Sequence, residues 1–164
     1  TSPSLFGMNK AAVIQKILEV LRSELETYVR AAKFSHAEAT AEENRAENKY
    51  DTRGLEASYL AAGQANKVAE LESALETFEE LKEQHASNAV EIGSLIELQQ
   101  DGFVEWYFVG PTAGGTEIEI DDTEVLVITP ESPLGSQIMG LEAGARASLD
   151  LGGQTQKAMV QAVL

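Results

Sequence analysis

From Asn9, a favourable helix cap, apolar side chains recur at Ile14, Leu18, Leu21, Leu25, Tyr28 and Ala32, alternately four and three residues apart. That spacing is the a/d seam of a coiled coil and predicts a helix over 10–34, roughly 37 Å long at ~1.5 Å rise per residue. Val13, Ile17 and Val29 widen one edge of the seam. A second seam follows in Ala57, Ala61, Gln64, Val68, Leu71, Leu75 and Phe78, with Leu81 nearby, its first half small and its second half strongly apolar. A helix with so narrow a stripe is marginal alone in water, so each seam must be buried on a partner. The short connection favours an antiparallel hairpin within one chain over an intermolecular coiled coil. In that hairpin the strong end of the second helix lies beside the strong start of the first. The polar stretch 35–54 then forms an exposed tip. Thr40 with Glu43 fits a capping box that would start a helical turn at Ala41, and Asp51 or Thr52 fits a restart before Leu55. The pattern leaves open whether the second helix is continuous or broken.

Past residue 88 the period changes from helical to alternating. Residues 94–99, 103–109, 117–120, 125–129, 145–151 and 156–163 read as strands, separated by turn residues at Gly102, Gly110-Pro111, Gly114-Gly115, Asp121-Asp122 and Gly152-Gly153. Residues 136–141, bounded by Gly135 and Gly144, read as one short helix across the sheet. The chain is therefore α+β, with a helical hairpin domain over 8–88 and a small sheet domain over 89–164. Residues 1–7, ahead of Met8, read as a vector-derived leader and take no part in this reasoning.

Charge narrows the choice of partners. Asp and Glu total 27 against 12 Lys and Arg, a net charge of -15. Beyond residue 90 only Arg146 and Lys157 oppose twelve carboxylates, so the sheet domain is the more acidic part. Free DNA, RNA and anionic membranes are repelled, and any action on nucleic acid must pass through a basic protein partner. The 164 residues contain no cysteine, which excludes a disulfide framework, a thiolate zinc site and covalent cysteine catalysis. With no apolar run approaching ~18 residues, the sequence reads as a soluble, cytoplasmic protein.

The order of these features resembles the bacterial Gre transcript-cleavage factors. The resemblance covers residues 8–164. It rests on the helical hairpin, on Ser132-Pro133-Leu134-Gly135, on the following run from Ile138 to Gly144, and on the late Gly152-Gly153 hairpin. Residues 103–110 and 124–128 sit where that family's second and third strands belong. The resemblance implies an FKBP-like, antiparallel C-terminal sheet domain with one short helix. It also implies a monomer whose partner is RNA polymerase. The sheet domain would dock at the rim of the polymerase secondary channel, the hairpin would enter it, and tip carboxylates would help hold a second Mg²⁺ while the polymerase cuts backtracked RNA. Such a chain is a cofactor of the polymerase nuclease and not itself an enzyme. The chemistry needs oxygen ligands because Mg²⁺ is a hard cation.

The family tip carries an Asp three residues before a Glu-Asn pair. Here Glu47-Asn48 matches the pair, whereas position 44 is Asn. Glu47 is thus the candidate for the family Glu, Glu43 the candidate substitute for the Asp, and both are candidate catalytic and Mg²⁺-facing groups, with Glu42 and Asp51 in reserve. If 41–48 is helical, Glu43 and Glu47 share one face at i, i+4, where like charges cost a few tenths of a kcal/mol and a cation would relieve them. The bland alternative is a solvated tip in which Glu42 pairs with Arg45. The Asn at position 44 also allows a Gre-like channel binder that modulates or inhibits cleavage. An unrelated coiled-coil adaptor and a prolyl isomerase on the FKBP-like fold complete the alternatives, the last needing a concave aromatic pocket. His36 and His85 lack a zinc-ligand pattern, Ser132 reads as a helix cap, and Trp106 and Phe108 share one strand face with Tyr107 on the other.

Overall fold

The computed structural model describes residues 8–45 and 53–164. Helix α1 spans Lys10–Arg45 and helix α2 spans Arg53–Glu80, running into a 3-10 turn over Leu81–Glu83. Asn9 caps α1 as its sequence position suggests: its side-chain Oδ1 accepts the Ala11 N–H at 2.9 Å and its carbonyl accepts the Val13 N–H at 3.0 Å. The helix runs eleven residues beyond the seam predicted to end at Phe34. Ala37, Glu38, Ala39, Ala41, Glu42 and Glu43 are strong helix formers, so propensity extends the helix where the apolar seam has ended. Thr40 consequently lies inside α1 and does not begin a new turn. The second helix is continuous from Arg53 to Glu80.

Two cross-helix contacts fix the pairing direction. The Lys82 ammonium donates to Gln15 Oε1 at 3.3 Å, and the Lys67 ammonium sits 5.9 Å from the centroid of the Tyr28 ring. Moving up α1 from 15 to 28 moves down the second segment from 82 to 67, so the pair is an antiparallel hairpin.

Six strands follow: β1 Leu95–Gln100, β2 Phe103–Val109, β3 Glu117–Ile120, β4 Thr123–Ile128, β5 Arg146–Leu151 and β6 Gln154–Val163. They form one sheet in the order β3-β4-β2-β1-β6-β5. The sheet is mixed, which corrects the antiparallel expectation: β2 and β4 run parallel, with Trp106 opposite Val125 and Val109 opposite Ile128. The chain leaves β2, passes outward to the edge strand β3, and returns through β4 between them, which reverses its direction twice. Three hairpins close with two-residue turns of positive φ: Asp101-Gly102, Asp121-Asp122 and Gly152-Gly153. Such turns match the right-handed twist of the strands they join. The short helix α3 is a single turn, Gly135–Ile138, and stops before the expected Leu141 because the backbone leaves the helical region at Met139 (φ -56°, ψ 133°).

By contact density the chain divides into two compact units, residues 1–18 with 76–164 and residues 19–75, so the junctions fall inside the two long helices. In the first unit apolar side chains are buried on both faces of the central strands, while the β5–β6 end of one face is open to solvent. One face packs Ile96, Leu98, Tyr107, Val109, Ile128, Leu149, Ala158 and Val160 with Val90, Leu134 and Ile138. By strand alternation Leu95, Trp106, Phe108, Val125 and Val127 point the other way, and they are also buried. Phe78 of α2 covers that second face, its ring centroid 6.1 Å from that of Phe108. Gly110 lets it approach: a Cβ there would stand 2.8 Å from Phe78 Cζ. Val13, Ile14, Ile17 and Leu18 are buried in the same unit.

Candidate functional site

The sequence-predicted tip lies at the end of α1. Glu42, Glu43 and Asn44 belong to the last turn of that helix, whereas Glu47 and Asp51 lie outside the described residues. The described residues of α1 end at Arg45 and those of α2 begin at Arg53, and toward those ends the seam thins. Leu21, Leu71 and Ala74 are buried in the helical unit, but Leu25, Tyr28, Val29, Ala31, Ala32 and Val68 are only half-buried and Phe34 is 71% exposed. Among the described residues no three His, Cys, Asp or Glu side chains gather in a way that could hold a metal ion. His85 is exposed just past the 3-10 turn, and His36 lies within α1.

The second candidate region is the Ser132–Gly135 turn. Ser132 Oγ donates to the Thr129 carbonyl at 2.7 Å and accepts the Gly135 N–H at 3.0 Å, while the Ser132 carbonyl accepts the Ser136 N–H at 2.9 Å. The hydroxyl is committed to the turn that leads into α3; the N-cap position of the helix is Leu134, with no side-chain capping bond, which corrects the reading of Ser132 as the helix cap. Gly135 packs so closely that a Cβ would fall 1.9 Å from the Thr129 carbonyl oxygen. The turn therefore presents a fixed surface made of Pro133 and Leu134, Pro133 exposed and Leu134 buried beneath it.

Several groups escaped sequence reasoning. Gln137 reaches from α3 to strand β5: its Nε2 donates to the Pro133 carbonyl at 2.7 Å and the Asp150 carbonyl at 2.9 Å, and its Oε1 accepts the Asp150 N–H at 2.7 Å. A single glutamine carries no motif that would announce such a bridge. Glu97 is buried within β1 at 1% exposure. Its position in an otherwise apolar run, Leu95-Ile96-Glu97-Leu98, was the available signal. The Tyr107 hydroxyl donates to Glu105, and burial, reinforced by that carboxylate, pushes its pKa up from 10.0. Lys10 donates to the Leu164 carbonyl at 3.5 Å, and its pKa is lowered by burial, partly opposed by Glu91.

Trp106, Tyr107 and Phe108 are divided between the two faces of β2 and are 4, 6 and 0% exposed. They line no concave aromatic cleft of the kind an isomerase needs. Among the described residues no helix is long and apolar enough to cross a membrane.

No family model and no curated protein matches the chain. Among solved structures it is similar to GreA factor homolog 1 (Gfh1) of Thermus thermophilus, with 20% identity and a TM-score of 0.36, covering 90% of this chain and 94% of that one. It is similar to Gfh1 of Thermus aquaticus at 21% identity and a TM-score of 0.39, over 88% and 92% of the two chains. A further structure of the transcription factor Gfh1 gives 21% identity and a TM-score of 0.39, over 89% and 92%.

Proposed function

We propose that this chain is a Gre-type transcription elongation factor. It binds RNA polymerase at the secondary channel and stimulates cleavage of backtracked RNA through carboxylates where its two long helices meet. The observation that carries this reading is the antiparallel pair of 36- and 28-residue helices, with Glu42 and Glu43 in the last described turn of the first and Glu47 and Asp51 following in sequence. At ~1.5 Å per residue α1 alone is about 54 Å long, enough to carry its terminal turn deep into a channel. The Ser132-Pro133-Leu134-Gly135 turn and the Gly-rich closing hairpin stand in the order seen in that family.

In this reading Glu43 and Glu47 supply oxygen ligands at the helical end. Mg²⁺ takes near-octahedral oxygen coordination, so one or two helix-end carboxylates do not make a complete site, and the polymerase provides the rest. Bound there, the ion would stabilise the attacking and leaving oxygens of the cut phosphodiester. The chain itself orients carboxylates, and Glu42 and Asp51 are held in reserve for the same task. The protein acts as a monomer in the cytoplasm, its sheet domain and proximal hairpin providing most of the docking energy.

The Asn at position 44 favours a second reading, a channel-binding modulator without cleavage activity, because the family Asp is missing at that spacing. Both readings require polymerase binding. Because the chain carries a net charge of -15, association with core polymerase should weaken as salt rises, and naked DNA or RNA should not bind even at low salt. Tight binding to free nucleic acid, or no association with polymerase at any salt concentration, contradicts both.

A further inference from the structure

Arg146 and Lys157 are the only basic residues beyond position 90, where twelve carboxylates surround them in sequence. The fold brings both to the lining of one open depression of about 580 Å³, together with Gln99, Asp101, Ser148 and Met159. The strand register explains the convergence. Arg146 lies opposite Met159 and Ser148 opposite Lys157, so all four side chains stand on one face of the β5–β6 hairpin. Both cations are exposed, and among the described residues neither takes part in an ion pair. A domain with so few cations would lower its energy by pairing them with its own acids, yet it leaves both facing the same concavity.

The backbone beside them is also open. Strand β5 is the outer strand of the sheet, with β6 on its inner side. The two-residue turn at Gly152-Gly153 makes Leu151–Gln154 the closing hydrogen-bonded pair, so alternate residues bond inward and Asp150, Ser148 and Arg146 direct their N–H and C=O groups outward. At Asp150 those outward groups are taken by the Gln137 side-chain amide. Gln137 therefore blocks the edge at one end and leaves the stretch at Arg146 and Ser148 available.

We propose that this edge receives a short extended segment of a partner protein, added as a seventh strand alongside Arg146–Ser148, with an acidic side chain directed into the Arg146/Lys157 depression. A residue paired with Arg146 places its side chain on the same sheet face, about 5 Å away Cβ to Cβ. Main-chain hydrogen bonds supply affinity and the cations select the side chain. The charge count favours a peptide over a nucleic acid. Asp101 offsets one of the two cations, so the depression suits one or two carboxylates, whereas a phosphate backbone would extend into the repulsive field of the surrounding acids.

The test uses the full chain labelled with ¹⁵N and a blocked threonine-rich peptide with a single central glutamate, followed by amide chemical shifts and calorimetry. The expected result is saturable binding with shifts centred on Arg146, Ala147 and Ser148. Exchange of glutamate for glutamine in the peptide, or the double substitution Arg146→Gln with Lys157→Gln, should weaken it roughly tenfold. Methylating alternate backbone nitrogens of the peptide should abolish it while leaving its charge intact. Unchanged melting of the double variant separates lost recognition from lost fold. The proposal is overturned if the glutamine peptide binds equally well, if the shifts lie elsewhere, if no binding occurs at millimolar peptide, or if a uridine hexanucleotide shifts the same amides more strongly.

Discussion

The two compact units are built with very different margins. In the unit formed by residues 1–18 and 76–164, a six-stranded sheet buries apolar side chains on both faces of its central strands, and Phe78 and Phe108 are completely buried. In the unit formed by residues 19–75, three described apolar side chains are buried and the seam then thins to half-buried alanines, Val29 and Tyr28, with a Lys67–Tyr28 cation–π contact. Stability is thus concentrated in the first unit, while the second spends few apolar contacts on a long extension. Local opening should follow the same order, with the lowest free energies in the thin part of the hairpin. A chain that needed its helices only as a scaffold would gain by filling that seam. One that presents a chemical group at the far end of two helices needs length more than core.

The largest expected effect comes from separating the sheet from the helical segments. A fragment of residues 89–164 keeps the core against α3 but uncovers Leu95, Trp106, Phe108, Val125 and Val127. We expect it to melt cooperatively but to be less stable than the first unit of the full chain by about 5 kcal/mol or more, since each large buried apolar side chain contributes roughly 1.5–3. It should also bind a hydrophobic dye. A fragment without a cooperative transition contradicts a domain boundary at residue 88, and one as stable as the full chain contradicts the covering role of Phe78.

Within the full chain, Phe78→Ala should cost roughly 3–5 kcal/mol and lower Tm by about 10 °C, whereas Leu25→Ala should cost about 1 kcal/mol. Equal losses at the two sites would erase the contrast between the units. Gly135→Ala should cost about 1–3 kcal/mol, because its Cβ would collide with the Thr129 carbonyl and force the Ser132 turn to move. The readouts are denaturant unfolding and the amide shifts of residues 129–137.

The smallest effect concerns Tyr107. Its folded pKa is raised, so above pH 10.0 the unfolded chain loses this proton while the folded chain retains it. Its contribution to stability is complete below pH 10.0 and is lost as pH rises toward the higher folded value. Tyr107→Phe should therefore flatten the alkaline fall in Tm above pH 10, and the difference in tyrosinate absorbance between the wild-type chain and the variant should appear well above pH 10. A difference that appears at pH 10 would contradict this.

The contrast between the units was legible in the sequence to different depths. The strands over 103–109 and 117–120 were read with their observed bounds, because β-branched and aromatic residues alternate there between clear turn residues. The seam from Ile14 to Leu21 was equally plain, since burial demands a period. Where the apolar seam ends the period vanishes too: residues 35–45 read as part of a polar tip with a helical turn from Ala41, whereas alanine and glutamate propensity continues the helix through them. The parallel β2–β4 pair was not legible, because the path of a chain around an edge strand leaves no local pattern. Nor was the union of Arg146 with Lys157, eleven residues apart, visible before the hairpin register was known. At the tip, the acids could be named, but the spacing that assigns Glu47 and Glu43 came from the family resemblance and not from periodicity.

The central claim is that the long, thinly packed unit exists to deliver carboxylates to a polymerase. It is tested most directly by adding the protein to stalled, backtracked elongation complexes with Mg²⁺ and following RNA length, in parallel with the Glu43→Gln/Glu47→Gln double variant and with Asn44→Asp. The account predicts shortened RNA with the wild-type chain, loss of that shortening in the double variant with polymerase binding nearly intact, and equal or greater cleavage with Asn44→Asp. Binding without cleavage by the wild-type chain, converted to cleavage by Asn44→Asp, would establish the modulator reading in its place. Cleavage that persists unchanged in the double variant, or a chain that never associates with the complexes, would contradict the account.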